Sequence, residues 1–157
     1  MCIRDWHSIE QPIKAGQPAF MRFLCDISPL PIALDEELIG KFTREEKAEA
    51  LDNIRPAYVV IKPSLTGGFF GAQEWIDLAE ERGIGWWITS SLESNIGLNA
   101  LAQWVATLKT SMPQGLGTGG LFTNNAEAPI YLDGDRQKHD PEKHLDREWL
   151  ANLDWRE

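Results

Sequence analysis

The chain is poor in sulfur. Its 157 residues include two cysteines, Cys2 and Cys25, and three methionines. Two thiols without metal-ligand spacing make neither a disulfide framework nor a zinc site, and a reducing cytoplasm is the expected setting. Positive charge is also short: 15 lysines and arginines face 24 acidic residues, for a net charge of −9. That balance argues against nucleic acid and against an anionic membrane as partners. It leaves room for an anionic small molecule, because a local site can be basic inside an acidic shell. No apolar run approaches the ~20 residues that a membrane helix needs. The first residues show no basic region followed by an apolar stretch, so no signal peptide is visible.

Tryptophan, in contrast, is plentiful. Seven stand at positions 6, 75, 86, 87, 104, 149 and 155. Most fall in apolar runs or helical stripes, so they read as core residues rather than as a sugar-stacking platform. The length suits one domain with a sizeable core. A hydrophobic fraction of 43% and a charged fraction of 25% are ordinary for a globular protein.

Residues 1–5 show no pattern and read as a non-native stub. Residues 6–132 alternate short apolar runs with helical stripes, and 133–157 form a charged tail. Strands are expected around Glu10, over Ile32–Leu34, Ala57–Ile61 and Trp86–Ile88, with a fifth at Gln114–Leu116. A helix after Pro18 presents Phe20, Phe23 and Leu24 as one apolar face. Thr43-Arg44-Glu45-Glu46 is a capping box opening a helix over Arg44–Asn53. Gly71–Arg82 and Ile96–Lys109 read as two more helices, the latter with a stripe of Leu98, Leu101, Ala102, Val105 and Leu108. Strand and helix in turn mean parallel pairing through crossover helices. The continuously apolar runs around Val59 and Trp86 suit strands covered on both faces.

The strand ends carry the chemistry. Glu10, Asp35 and Lys62 each end an apolar run, and a fourth run ends on Thr89-Ser90-Ser91. The steps between Glu10, Asp35, Lys62 and Ser90 are 25, 27 and 28 residues, and Gly117 follows 27 further on. A regular step of this size is one βα unit of a (β/α) barrel, whose functional residues sit at the C-terminal ends of the strands. Two carboxylates on adjacent strand ends can hold a hard cation such as Mg²⁺, which prefers oxygen ligands. A lysine beyond them suits proton abstraction next to a carboxylate, where the cation stabilises developing charge. Each residue alone is unremarkable; their spacing is the signal.

Four motifs carry a resemblance: Ser8-Ile9-Glu10-Gln11-Pro12, Ile32-Ala33-Leu34-Asp35-Glu36, Ile61-Lys62-Pro63-Ser64-Leu65-Thr66-Gly67 and Ser90-Ser91-Leu92-Glu93-Ser94-Asn95-Ile96-Gly97. Together they resemble the enolase superfamily, in its muconate-lactonizing-like subgroup, over roughly Ser8 to Phe122. The resemblance implies an α/β fold, a partial (β/α) barrel of about strands four to eight with an irregular C-terminal tail. It implies Mg²⁺ as cofactor, with Glu10 and Asp35 as its second and third protein ligands. Lys62 would be the catalytic lysine of the sixth strand, placed to interact with the substrate and its enediolate. Thr89, Ser90, Ser91 and Gly117 would hold the carboxylates of a small-molecule substrate. The implied reaction is a syn dehydration in menaquinone biosynthesis, giving a succinyl-substituted benzoate from its cyclohexadiene precursor.

The second-strand Lys-x-Lys and third-strand Asp of that family do not occur here, so this chain alone is expected to be inactive. An open half-barrel would also expose strand edges and apolar surface. Two alternatives remain: a racemase of N-acylamino acids or epimerase of dipeptides from the same superfamily, or a non-catalytic half-barrel that binds a small acid or self-associates. The oligomeric state is left open. Gly115-x-Gly117-x-x-Gly120 matches a dinucleotide fingerprint in letters but lacks the following helix. Glu93 either orients Lys62 or a substrate group, or structures its own loop. His139 and His144 read as surface residues. In Asp35-Glu36-Glu37, strand alternation sends Asp35 and Glu37 one way and Glu36 the other, so the ligand choice rests on the resemblance.

Overall fold

The structure is a computed structural model that describes residues 6–145 together with Glu148 and Ala151. The N-terminal stub, Trp149 and Trp155 lie outside the described residues. The chain divides into two compact units, Met1–Thr89 with Met112–Gln114, and Ser90–Ser111 with Gly115–Glu157.

In the first unit four strands form one parallel sheet in sequence order: β1 (Ile9–Glu10), β2 (Ile32–Leu34), β3 (Tyr58–Ile61) and β4 (Gly85–Ile88). Helices α1 (Pro18–Ile27), α2 (Arg44–Ile54) and α3 (Gly68–Glu80) cross over between them. Ala33, Val59, Ile61 and Ile88 in the strands are fully buried, as are Trp75 and Ala79 on α3. Fully burying a Val, Ile or Leu side chain contributes about 1.5–3 kcal/mol, so these few strand positions dominate the core.

Local chemistry fixes the helix ends. Thr43 Oγ1 accepts from Glu46 N–H at 3.2 Å, and Glu46 Oε2 accepts from Thr43 N–H at 3.0 Å, so the capping box of α2 is closed in both directions. At the start of α3 a β-carbon on Gly71 would stand 2.1 Å from the carbonyl oxygen of Thr66, which only glycine permits. Between α2 and α3, Lys47 is 1% exposed and donates to Glu74 Oε2 at 2.6 Å and to Gly71 O at 3.3 Å. Nothing in the periodicity of the sequence marks Lys47 as buried.

Two expectations need correction. The predicted apolar face of α1 is not a core face: Met21 is buried, whereas Phe20 and Phe23 are 66% and 56% exposed. Met21 lies off the i, i+3, i+4 stripe, so α1 turns a different side to the sheet. Residues 114–116 also form no regular strand, only a single-residue β-bridge at Gly115. The Gln114 side chain, not its backbone, serves the sheet, accepting from Ile88 N–H at 2.7 Å. Pro113, just before this segment, has no N–H to offer a ladder.

The second unit holds α4 (Asn95–Thr107), with Leu98, Leu101 and Val105 buried as the stripe predicts. It also holds an antiparallel hairpin, β5 (Ile130–Asp133) and β6 (Arg136–His139). This hairpin replaces the irregular chain expected there. Its signal is Gly134-Asp135, a two-residue hairpin loop in which Gly134 takes a φ of +63°. The tight turns of hairpins need that left-handed conformation at the first loop position.

Candidate functional site

Strand register gathers the strand-end residues of the first unit. Glu10 pairs with Ala33, Ala33 with Tyr58 and Tyr58 with Gly85. Asp35 lies two residues beyond Ala33, Lys62 four beyond Tyr58, and Thr89 four beyond Gly85. All these offsets are even, and side chains alternate with a period of two. Glu10, Asp35, Lys62 and Thr89 therefore belong to one face of the sheet, at its C-terminal end.

The side chains meet there. Lys62 Nζ donates to Asp35 Oδ2. The Asp35 side chain is 6% exposed and that of Lys62 21%. The Glu10 carboxyl lies near enough to Asp35 for the two carboxylates to interact. Glu10 is open to solvent as a residue, while its carboxyl end is partly enclosed against Asp35. That enclosure, followed by the negative charge of Asp35, pushes the Glu10 carboxyl above its ordinary range, and Lys62 pulls it back.

The three acidic residues of Asp35-Glu36-Glu37 do not follow strand alternation. A single 3₁₀ turn begins at Glu36, and it separates their environments. Asp35 faces Lys62 and Glu10. Glu37 is 5% exposed and accepts from Gly16 N–H at 2.9 Å, with Lys41 Nζ at 3.7 Å. Glu36 is exposed. Geometry thus singles out Asp35, which the sequence pattern alone leaves open.

Two adjacent carboxylates suit a hard cation, which would offset the repulsion between them. Glu10 and Asp35 fit Mg²⁺ in donor type. Among the described residues no group of three or more His, Cys, Asp or Glu side chains is clustered to hold a metal, so the pair would be part of a coordination set.

Gln11 belongs beside these residues, and sequence reasoning passed over it. Its Oε1 accepts from the N–H groups of Asp35 at 3.0 Å and Glu37 at 3.3 Å. Its signal was only its place in the Glu10-Gln11-Pro12 motif.

In the second unit, the hydroxyls of Ser90 and Thr118 are hydrogen-bonded to each other, and Ser90 N–H donates to Gly115 O at 3.1 Å. Glu93 accepts from Ser91 N–H and Ser91 Oγ, both at 2.8 Å, so it structures its own loop. Gly117 lies in the turn that leads to a 3₁₀ turn at Gly119–Leu121. The short turn leaves no helix N-terminus for a dinucleotide phosphate.

A parallel sheet with crossover helices and polar groups gathered at the C-terminal strand ends is the architecture of part of an α/β barrel. The family model of the enolase C-terminal domain-like proteins matches residues 4–134, and the chain belongs to that family. An o-succinylbenzoate synthase from Desulfotalea psychrophila is 59% identical over 128 residues, covering 82% of this chain and 34% of the relative. The crystal structure of MenC from the same organism superposes with a TM-score of 0.80 at 58% identity, over 83% of this chain and 36% of that one. An L-Ala-D/L-Glu epimerase from Bacillus subtilis is 28% identical over 99 residues, covering 63% of this chain and 26% of the relative. The chain therefore spans about a third or less of the length of the relatives it matches. No described helix is long and apolar enough to cross a membrane.

Proposed function

We propose that this chain is the C-terminal barrel portion of an o-succinylbenzoate synthase. The reaction would be the syn dehydration of 2-succinyl-6-hydroxy-2,4-cyclohexadiene-1-carboxylate in menaquinone biosynthesis, in the cytoplasm. The observation that carries the reading is the Glu10–Asp35–Lys62 cluster on one face of the sheet, in a chain 59% identical to an o-succinylbenzoate synthase.

Glu10 and Asp35 would hold Mg²⁺. When bound, the cation supplies positive charge that favours the carbanionic form of a neighbouring carboxylate. Lys62, hydrogen-bonded to Asp35, presents an ammonium to the same substrate and stabilises the charge that builds as the α-proton leaves. Thr89 shares its sheet face and offers a hydroxyl to a substrate carboxylate. By the same resemblance, Ser90, Ser91 and the Gly117 loop would bind further carboxylate oxygens, Ser91 exchanging its bonds to Glu93 for bonds to the substrate. The general base is expected from a Lys-x-Lys motif, which these 157 residues do not contain. The chain alone is accordingly proposed to be inactive.

The test is a chimera in which residues 8–134 replace the matching segment of the Desulfotalea psychrophila enzyme. Mg²⁺-dependent formation of o-succinylbenzoate, lost on Lys62→Ala, supports the reading. A chimera that exchanges the α-proton of a dipeptide and does not dehydrate would move the assignment to the epimerases. A folded chimera with neither activity would leave the non-catalytic reading.

A further inference from the structure

We propose that Gln11 is a positioning residue that sets the direction of the Asp35 carboxylate. Asp35 leaves β2 at the start of the 3₁₀ turn Glu36–Leu38. The carboxamide of Gln11 supplies one acceptor to two backbone N–H groups there, Asp35 N–H at 3.0 Å and Glu37 N–H at 3.3 Å. The other end of the same amide donates from Nε2 to Ile13 O at 2.9 Å, which fixes the orientation of the side chain. The Gln11 backbone is pinned as well, its N–H donating to Ala33 O at 2.9 Å.

This arrangement has a cost. Gln11 takes a φ of +38°, a region that non-glycine residues rarely adopt. Such strain persists only where the surroundings over-determine it, and it concentrates at sites where geometry matters. Here the unusual backbone turns the side chain from Glu10 on β1 towards the end of β2. A second tie closes the clasp from the far side of the loop, Gly16 N–H donating to the buried Glu37 carboxylate at 2.9 Å. The loop after β1 and the turn after β2 are thus held at two points, and Asp35 lies between the clasp and Lys62. An apolar side chain at position 11 would leave two inward-facing N–H groups without an acceptor and free Asp35 to rotate away from Glu10.

The importance of directing Asp35 rests on the cation-site reading given above. The test is chosen so that the two can fail separately, because it uses neither metal nor substrate. Amide hydrogen exchange is measured by NMR on the 157-residue chain and on Gln11→Met and Gln11→Glu. Methionine matches the glutamine in length but removes the acceptor, whereas glutamate keeps an acceptor oxygen and loses the donor to Ile13. The expected result is at least tenfold faster exchange at Asp35 and Glu37 in Q11M, with the amides of β3 and α3 unchanged. In Q11E the protection of both amides should stay within about threefold of the parent. Equal loss in both variants, a loss spread over all strands, unchanged protection in Q11M, or no protection of these two amides in the parent would each overturn the proposal.

Discussion

Lys62 and Asp35 stand 27 residues apart in sequence and donate and accept one hydrogen bond at the end of a buried sheet. The lysine that ends the apolar strand β3 faces a carboxylate already enclosed by protein. Replacing Lys62 with Met removes the only cation bonded to Asp35 among the described residues and leaves two neighbouring carboxylates. Removing one partner of a buried pair costs up to roughly 3–5 kcal/mol, and the partial exposure of Lys62 brings the expectation to about 2 kcal/mol. Urea unfolding of Lys62→Met should show that loss, and adding Asp35→Asn should recover at least half of it. An unchanged midpoint in the single variant would show that Lys62 and Asp35 are not paired in solution.

Gly71→Ala should be among the most damaging small substitutions. The added methyl would meet a backbone oxygen at 2.1 Å, an atom that cannot swing aside. Thr66, which carries that oxygen, also donates its hydroxyl to Lys62 O at 3.0 Å, so the strain reaches the Lys62 loop. Overpacking of this kind costs about 1–3 kcal/mol. Thermal unfolding should place G71A well below the parent, and parent-like stability would mean that α3 starts elsewhere.

The capping box makes a prediction with a defined pH sign. Backbone N–H groups of Thr43, then of Phe42, hold the Glu46 carboxyl below its ordinary range. A lowered folded-state pKa gives stabilisation that is complete above the ordinary carboxylate pKa and disappears as pH falls through the lowered one. Thr43→Ala should cost about 1 kcal/mol at neutral pH, the usual loss for an N-cap side chain. Glu46→Gln should flatten part of the acid limb of the stability profile. Urea midpoints measured from pH 7 to pH 2 check both.

Cys25 should be a slow nucleophile. Burial, followed by the charge of Asp26, pushes its thiol above the ordinary value, and Arg22 opposes this weakly. Less thiolate at neutral pH means slower alkylation. In a Cys2→Ser background, iodoacetamide should modify Cys25 several-fold more slowly than it modifies glutathione at pH 7.5. A rate equal to or above that of glutathione would show a more open helix face.

The sequence reads well where one residue type has one physical use. Apolar runs of three or four residues ended by a charge located β2 and β3 to within a residue, and Thr43 with Glu46 located the start of α2. It reads badly where a side chain acts through something absent from its own segment. Phe20, Phe23 and Leu24 make a good stripe, yet only packing decides which flank of α1 is buried, and Met21 takes that place. Lys47 is buried because Glu74 lies 27 residues away, and no local pattern announces a distant partner. Glu10, Asp35 and Lys62 were legible as candidates by spacing, whereas their contact depends on register. Gln11 was invisible, since an amide oxygen bonded to two backbone N–H groups has no signature of its own. The Gly134 turn is legible in its letters, but the charged residues around it hide the strand alternation on either side.

The even offsets along the register impose a parity on this chain. Deleting one residue within Ile32–Leu34 would leave the composition of the strand nearly unchanged and turn Asp35 to the helix side of the sheet. Two such changes could restore the direction but would lower the carboxylate by a full pleat relative to Glu10. Changes in length are therefore tolerable in the crossover helices and loops, where they are absorbed before the next strand starts. Within the strands the count of residues is itself inherited information, kept by the chemistry at their ends rather than by the hydrophobic core they build.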